Sequence, residues 1–414
     1  MKQKFNSVDF LKISALWFGL AFQWGAILSI FLQRHTLNFV PAEQKGMYYS
    51  ILAAVGAVIA GVVQIIAGRW SDNTKTKWGK RIPFIFAGII LNTFALLLLG
   101  YSNSFVVMLT GIILVQIFAN IASAPYYAVI PDMVQKEQQG AASAWMGVFS
   151  FVGQAAGPVF AGFIIAKPGG PQDLMIFIAV MLNLLMLYTV YFVREDKTEA
   201  VINTDTGSTP FSYKDNRDFT WIFISRFLVN IGFYIALGFL MYYIKDCLRI
   251  KEYETYTGIL IMTITAAGIL ASIPAGIIAD RYSKKMLILI TAGITAIMTF
   301  VFVFMGNFTI IAISGFILGV AFGAFSVIDW AFACNYIPEG KGGSYMAFWN
   351  LAFVIPQIIA PLIAGYPSDL LNAAYGHGAG YRVALMAAAL FIGAGALAIK
   401  GVNEKNKDEG MNTP

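Results

Sequence analysis

Twelve long apolar runs constrain the fold of this chain more than any other feature of its sequence. A helix that crosses the hydrocarbon core of a bilayer needs about 20 mostly apolar residues. Such runs occupy residues 13–33, 47–68, 83–101, 105–130, 141–166, 174–193, 218–244, 256–279, 286–305, 308–336, 343–366 and 383–399. Because a helix satisfies its own backbone hydrogen bonds in lipid, the sequence predicts an all-α membrane protein with twelve transmembrane helices.

The composition excludes most classes of soluble protein. Hydrophobic residues make up 58% of the chain and charged residues 12%, whereas about a quarter of a soluble domain is charged. The net charge of +6 does not indicate nucleic-acid binding, because the basic residues fall between the apolar runs. No phosphate-binding loop, metal-ligand spacing or nucleophile–base motif occurs, and the two cysteines stand near opposite helix ends. The sequence therefore predicts neither an enzyme nor a cofactor.

The placement of the cations predicts the orientation. Five cations crowd the loop between the second and third runs, and short loops rich in Lys and Arg stay on the cytoplasmic side. With both termini cytoplasmic, the inner side carries 20 cations and the outer side 7. We therefore expect a multi-pass protein of the cytoplasmic (inner) cell membrane, with both termini in the cytoplasm.

The chain is predicted to consist of two related halves. The match between residues 67–72 and 275–280 has an offset of 208, and the match between residues 154–162 and 357–365 has an offset of 203. Such an internal duplication is typical of transporters. We expect a six-helix bundle over residues 1–193, a cytoplasmic linker over 194–217, a second bundle over 218–400 and a tail over 401–414.

The basic segment 68–83 is also a candidate gate. A glycine allows two helices to approach closely, a carboxylate can accept hydrogen bonds from a helix N-terminus, and cations can pair with acids. A reduced copy in the second half favours a latch over a loop that sets topology alone. The residues predicted to form the gating loops are Gly68, Asp72, Gly79, Lys80, Arg81, Asp280 and Arg281.

The same residues resemble a known family. Gly-x-x-x-Asp followed by Gly-Lys-Arg is similar to the signature of the major facilitator superfamily. The longer form over 71–84 resembles the glycoside–pentoside–hexuronide cation symporters and, more closely, their sucrose-transporter branch; residues 125–132 and 329–335 resemble that group's fourth and tenth helices. The resemblance implies two pseudo-symmetric six-helix bundles and a sugar carrier that works by alternating access. Gln116 and Tyr127 stand where plant relatives carry a carboxylate and an arginine.

Two charged residues are predicted to lie inside spans. Arg226 falls in the seventh run and Asp329 in the tenth, several residues from the same side of the membrane. A charge in mid-span costs about 2.5–3.5 kcal/mol on insertion scales, so each residue is a functional candidate. We predict that they pair, and that protonation or cation binding at Asp329 breaks the pair during transport. A permanent packing salt bridge is the alternative.

Uncharged polar and aromatic residues within the spans are candidates to bind the solute. Amides donate and accept hydrogen bonds, as sugar hydroxyls do, and aromatic rings can stack on a pyranose. About half of such a set is expected to serve helix packing instead. The candidates are Gln23, Trp24, Gln33, Asn120, Tyr126, Tyr127, Gln154, Asn230, Trp330, Trp349, Asn350 and Gln357. Because the first, fourth, seventh and tenth helices line the cavity in the superfamily, the resemblance favours Gln23, Asn120, Tyr127, Asn230 and Trp330.

The favoured function is secondary active transport of a sugar or glycoside by a monomer, with H⁺ or Na⁺ symport. Two alternatives stay open. The pattern Gly153-x-x-x-Gly157-Pro158 with Gly162 resembles drug–proton antiporters of the same superfamily, although Ala161 replaces a glycine and small residues also serve helix packing. A membrane sugar sensor that does not transport is the second alternative.

Overall fold

The computed structural model describes residues 5–135, 138–192, 216–337, 342–376 and 378–403. Within these ranges the chain is helical and contains no β-strand, and twelve helices are long and apolar enough to cross a membrane. They are α1 Ser7–Thr36, α2 Lys45–Asn73, α3 Ile82–Gly100, α4 Phe105–Tyr127, α5 Gln139–Ile165, α6 Gly170–Phe192, α7 Arg217–Asp246, α8 Tyr253–Arg281, α9 Lys284–Phe302, α10 Phe308–Cys334, α11 Gly342–Tyr375 and α12 Ala379–Ala398. The predicted all-α fold with twelve spans is confirmed.

The helices extend beyond the apolar runs where polar groups cap them. The α1 helix begins at Ser7, because Asn6 Oδ1 accepts hydrogen bonds from the backbone N–H of Val8 and Asp9 at 2.9 and 3.0 Å. The Asn6 backbone N–H in turn donates a hydrogen bond to the Asp9 carboxylate, which completes a capping box. Hydropathy alone misses such ends, because the capping residues are polar.

Helices α1 and α5 approach closely at glycine positions. A Cβ atom on Gly153 would overlap the carbonyl oxygen of Phe18, and one on Gly157 would overlap that of Phe22. Ala161 in the same segment is fully buried. The small residues that resembled an antiporter motif therefore bring two helix backbones together, as packing within membranes requires.

The chain divides into two compact units. The first contains α1 to α6 together with the segments Leu240–Met262 and Pro361–Gly380. The second contains Thr263–Ala360, with α9 and α10, the part of α7 up to Phe239, and α12 from Tyr381 onward. Most of the predicted linker 194–217 and of the tail 401–414 lies outside the described residues, and the division into two six-helix halves stays a prediction.

Gly153→Ala is expected to lower the free energy of unfolding by about 1–3 kcal/mol, because the added methyl group forces α1 and α5 apart. Gly147→Ala is the matched control on the same helix, because a Cβ atom there meets nothing within 4 Å. Thermal unfolding of the purified protein in detergent measures both. Equal stability of the two variants would contradict the close approach.

Candidate functional site

A buried ion pair joins α7 to α10 within the second unit. Arg226 Nη1 donates to Asp329 Oδ2 at 2.6 Å, and the Asp329 side chain is 0% exposed. The Arg226 guanidinium carbon lies 4.7 Å from the centre of the Trp349 ring, in a cation–π contact. The predicted pairing is confirmed, and the role of the pair in cation coupling stays a prediction.

Three polar atoms at the ion pair and its neighbour Trp349 form no hydrogen bond within the described part of the chain. Arg226 Nε, Asp329 Oδ1 and Trp349 Nε1 are buried without a hydrogen-bond partner among the described residues. A bidentate pair between a guanidinium and a carboxylate would use both carboxylate oxygens, but this pair uses one. Because an unsatisfied buried group costs about 1–3 kcal/mol, the Oδ1 atom is a favourable point for a proton, a cation or a polar solute group to bind.

Polar and aromatic residues continue from the ion pair along facing stripes of α7 and α11. On α7, Asn230 and Tyr234 follow Arg226 at successive four-residue steps and so share its face. Asn230 Nδ2 donates to the carbonyl of Ala352 at 2.8 Å. The Tyr234 ring meets Phe353 edge-to-face at 5.7 Å between centroids. The predicted candidate Asn230 therefore lies beside the ion pair.

Two candidate amides of the first unit, Gln23 and Asn120, bond to protein groups within that unit. Asn92 Nδ2 on α3 donates to Gln23 Oε1 at 2.7 Å, and both side chains are fully buried. Asn120 Nδ2 donates to the backbone carbonyl and side chain of Gln116 on its own helix. Gln23 thus joins α1 to α3, and Asn92 is a partner that the sequence analysis did not single out.

Two neighbouring tyrosines of α4 differ in accessibility. Tyr126 is buried, stacks on Trp17 and donates a hydrogen bond to the Ile13 carbonyl at 2.5 Å. Tyr127 also contacts Trp17, with ring centroids 4.2 Å apart, but it is exposed. Of the two candidates, Tyr127 is the one with an exposed side chain.

The remaining candidates are spread over both units. Gln33 is buried, and its backbone carbonyl accepts a hydrogen bond from Tyr242 at 2.9 Å. Trp24 and Gln357 are partly buried, and the exposed side chains are those of Gln154, Trp330 and Asn350. The structure therefore brings the candidates Arg226, Asn230, Asp329 and Trp349 together within one unit.

An ion-pair network in the first unit holds the basic segment 68–83, which we call the basic loop. Arg81 Nη2 lies 2.6 Å from Asp72 Oδ1, and Arg81 Nε lies 2.9 Å from Asp132 Oδ2. Lys80 Nζ is 3.0 Å from the same Asp132 oxygen. Asp132 was not predicted as a member of this network, because it comes 51 positions after Arg81 and follows a different span.

The glycines of the basic loop have different environments. Gly79 has φ +95°, a left-handed conformation that glycine adopts without strain. A Cβ atom on Gly68 would meet nothing within 4 Å, so the described chain shows no close helix approach at that position. Asp280 and Arg281, the reduced copy, are exposed at the end of α8.

A second charged cluster, which sequence reasoning missed, lies at the other end of α2 in the first unit. Lys45 Nζ is 2.5 Å from Asp246 Oδ2, with both side chains largely buried, and Arg34 Nε is 2.8 Å from Glu254 Oε1. The Asp369 carboxylate accepts hydrogen bonds from the first backbone N–H groups of α2, at 3.1 and 2.7 Å. We call these residues the distal cluster.

A helix of 29 residues is about 43 Å long, so the cluster and the basic loop are separated by the whole length of α2.

Comparison with known families identifies the class of protein. The model of the Major Facilitator Superfamily matches residues 13–361 and, in a second match, 251–410. The chain therefore belongs to the Major Facilitator Superfamily, a family of membrane transporters, and is a multi-pass membrane protein. The predicted membership is confirmed at the level of the superfamily.

Curated relatives are distant and differ in what they carry. The chain is 24% identical to the sucrose transport protein SUC3 of Arabidopsis thaliana over 43% of this chain, and the match spans 35% of that protein. It is 23% identical to the lactose permease of Leuconostoc lactis over 59% of this chain and 44% of the permease. A multidrug resistance efflux pump PmrA homolog of Lactococcus lactis is 22% identical, over 84% of this chain and 82% of the pump.

Solved structures of transporters share the fold. A bacterial homolog of the lysosomal transporter Spinster, in an inward-facing and unoccupied conformation, superposes with a TM-score of 0.76 at 14% identity, over 95% of this chain and 97% of the other. A D-xylose–proton symporter gives a TM-score of 0.72 at 15% identity, over 96% of this chain and 100% of the other. At such low identity these similarities establish the fold alone.

Arg226→Gln is expected to lower the free energy of unfolding by about 3–5 kcal/mol, because it leaves the buried Asp329 carboxylate without a counter-charge. The double variant Arg226→Gln/Asp329→Asn is expected to recover most of this loss. Denaturant titration in detergent measures both, and Lys251→Gln, an exposed cation between α7 and α8, is the control. Wild-type stability of the single variant would show that Asp329 needs no counter-charge.

Proposed function

We propose that this protein is a secondary active transporter that moves a sugar or glycoside across the cytoplasmic membrane by alternating access, with symport of H⁺ or Na⁺. The observation that carries the proposal is the ion pair of Arg226 and Asp329. The pair is buried within two spans, and a structural role would be served at lower cost by apolar residues. In this proposal the pair is kept because breaking it is a step of the transport cycle.

The coupling step follows from charge balance. While Asp329 is ionised, it neutralises Arg226 and the pair is uncharged as a whole. When a proton or cation binds at Asp329, Arg226 loses that compensation, and its desolvation becomes costly. The state with bound cation therefore favours a rearrangement in which Arg226 gains other partners, and a solute with hydrogen-bond acceptors can supply them.

The choice of a sugar rests on the relatives and on the amides near the site. Sucrose and lactose carriers are among the relatives, and Asn230 and Gln357 offer the donors and acceptors that hydroxyl groups need. The sucrose-transporter-like branch is part of the proposal. A drug–proton antiporter is the second candidate, because the efflux pump homolog aligns over 84% of this chain.

We further propose that both termini lie in the cytoplasm, that the basic loop faces the cytoplasm, and that the protein works as a monomer with two six-helix halves. The distal cluster then lies at the outer side. Its contacts hold this end of the first unit together, so they must open when solute enters from outside.

Counterflow in proteoliposomes tests the proposed function. Purified protein is expected to exchange labelled sucrose, maltose, lactose or D-xylose against an internal pool of the same sugar, whereas a sensor binds without exchange. Exchange of none of these sugars, together with proton-driven efflux of a lipophilic cation such as ethidium, would replace sugar symport by drug antiport.

Asp329→Asn is expected to abolish accumulation of sugar against its gradient while counterflow continues, because the neutral amide takes up no proton at neutral pH and attracts Na⁺ more weakly than a carboxylate does. Uptake driven by an imposed H⁺ or Na⁺ gradient measures the coupling, and Lys251→Gln is the control. Unchanged dependence on the cation gradient would remove Asp329 from the coupling role.

A charge swap tests the distal cluster. Lys45→Asp and Asp246→Lys are each expected to lower uptake by at least about tenfold, because each places two like charges together in a buried site. The double swap is expected to restore most of the uptake. Arg34→Gln should have a smaller effect, because the Arg34 side chain is 30% exposed and its pair is screened by solvent. If the swap fails to restore uptake, the contact between Lys45 and Asp246 does not act as a gate.

A further inference from the structure

Beyond the ion pair, the facing sides of α7 and α11 carry two aromatic side chains and an amide that take no part in the pair. Tyr234 and Phe353 meet edge-to-face. Gln357 lies one turn beyond Phe353 on α11, and its amide is close to the Tyr234 hydroxyl. All three residues belong to the second unit.

The two α11 residues of this group, Phe353 and Gln357, lie on an accessible face of a span. Phe353 is 42% exposed, Asn350 on the same helix is exposed, and Gln357 is partly exposed. Hydrocarbon offers no partner to an exposed amide, and polar residues within spans therefore face a bundle interior or a water-filled cavity. This face of α11 is one that a polar solute reaches.

The hydrogen-bonding capacity of the group fits hydroxyl groups. Gln357 Nε2 donates to the Phe353 carbonyl at 3.3 Å, and an amide nitrogen has a second N–H. The phenolic oxygen of Tyr234 can accept a hydrogen bond as well as donate one. The group thus offers a donor and an acceptor close together, as a pair of neighbouring sugar hydroxyls requires.

The aromatic geometry fits the apolar face of a sugar ring. The Tyr234 and Phe353 rings meet edge-to-face at an interplanar angle of 72°, and the Phe353 side chain is 42% exposed. The exposure of Phe353 shows that its surface is accessible. The C–H face of a pyranose can pack there while its hydroxyls reach the amide.

We infer that Tyr234, Phe353 and Gln357 form a binding subsite for a pyranose ring, with Phe353 packing on the ring and the other two residues binding its hydroxyls. The inference rests on the proposed function and names residues for its solute. Tyr234 lies two helical turns from Arg226, about 12 Å along α7. The subsite is therefore close enough for bound sugar and the Asp329 pair to influence each other.

Three variants test the subsite in the full-length protein reconstituted in proteoliposomes. Tyr234→Phe removes the hydroxyl and keeps the ring, Gln357→Met keeps the length and removes the amide, and Phe353→Leu removes the flat surface. Counterflow of whichever of sucrose, maltose, lactose and D-xylose the wild type exchanges gives KM and maximal rate. Each variant is expected to raise KM about tenfold, the effect of about 1.4 kcal/mol in binding, with a smaller change in maximal rate.

Controls separate the subsite from general packing. Tyr282→Phe and Phe316→Leu make the same chemical changes at exposed positions outside the site and are expected to keep the wild-type KM. Deoxy analogues of the exchanged sugar add a readout that packing does not affect: one deoxy position should lose affinity in the wild type but not in Tyr234→Phe.

The outcomes distinguish the subsite from the proposed function. If the wild type exchanges sugar and all three variants keep its KM, the subsite is wrong and sugar transport stands. The subsite is also wrong if the variants lower the maximal rate alone and respond to every deoxy analogue as the wild type does. If the wild type exchanges no sugar, the proposed function fails, and the subsite fails with it.

Discussion

The cost of placing a charge inside a membrane is the constraint on which the second unit depends. Asp329 is fully buried, and it pairs with a guanidinium on another helix. The indole of Trp349 covers that guanidinium, and the aromatic and amide stripe of α7 and α11 continues from it. Water screens charges only weakly at such a buried site. A change in the charge of Asp329 therefore alters the electrostatic energy of Arg226 and of its contact with Trp349.

The physical cost of buried charge also explains which contacts the sequence could predict. Arg226 and Asp329 stand out because few charges occur within apolar runs, and each of them needs a partner. Lys45 and Asp246 give no such signal. They stand at helix ends, where a charge costs little, and they are 201 positions apart. Their pairing follows from tertiary structure alone.

Amides and glycines show a second limit of prediction. Gln23 was favoured as a solute ligand because it is polar and lies in α1, but an amide that faces another helix has the same sequence signature as one that faces a cavity. The structure places it against Asn92 of α3. Likewise, Gly153 and Gly157 resembled a motif of antiporters, and the geometry shows a close contact of α1 with α5. The twelve spans were predictable because length and hydropathy determine them.

The burial of Lys45 has a practical consequence. Its amine is shielded by the contact with Asp246 and by the ring of Tyr242, whose centre lies 5.4 Å away. If the distal cluster faces outward and opens as proposed, an amine-reactive reagent that cannot cross the bilayer would modify Lys45 only in the open state. Modification of Lys45 would then report the opening, and no cysteine would have to be introduced to follow it.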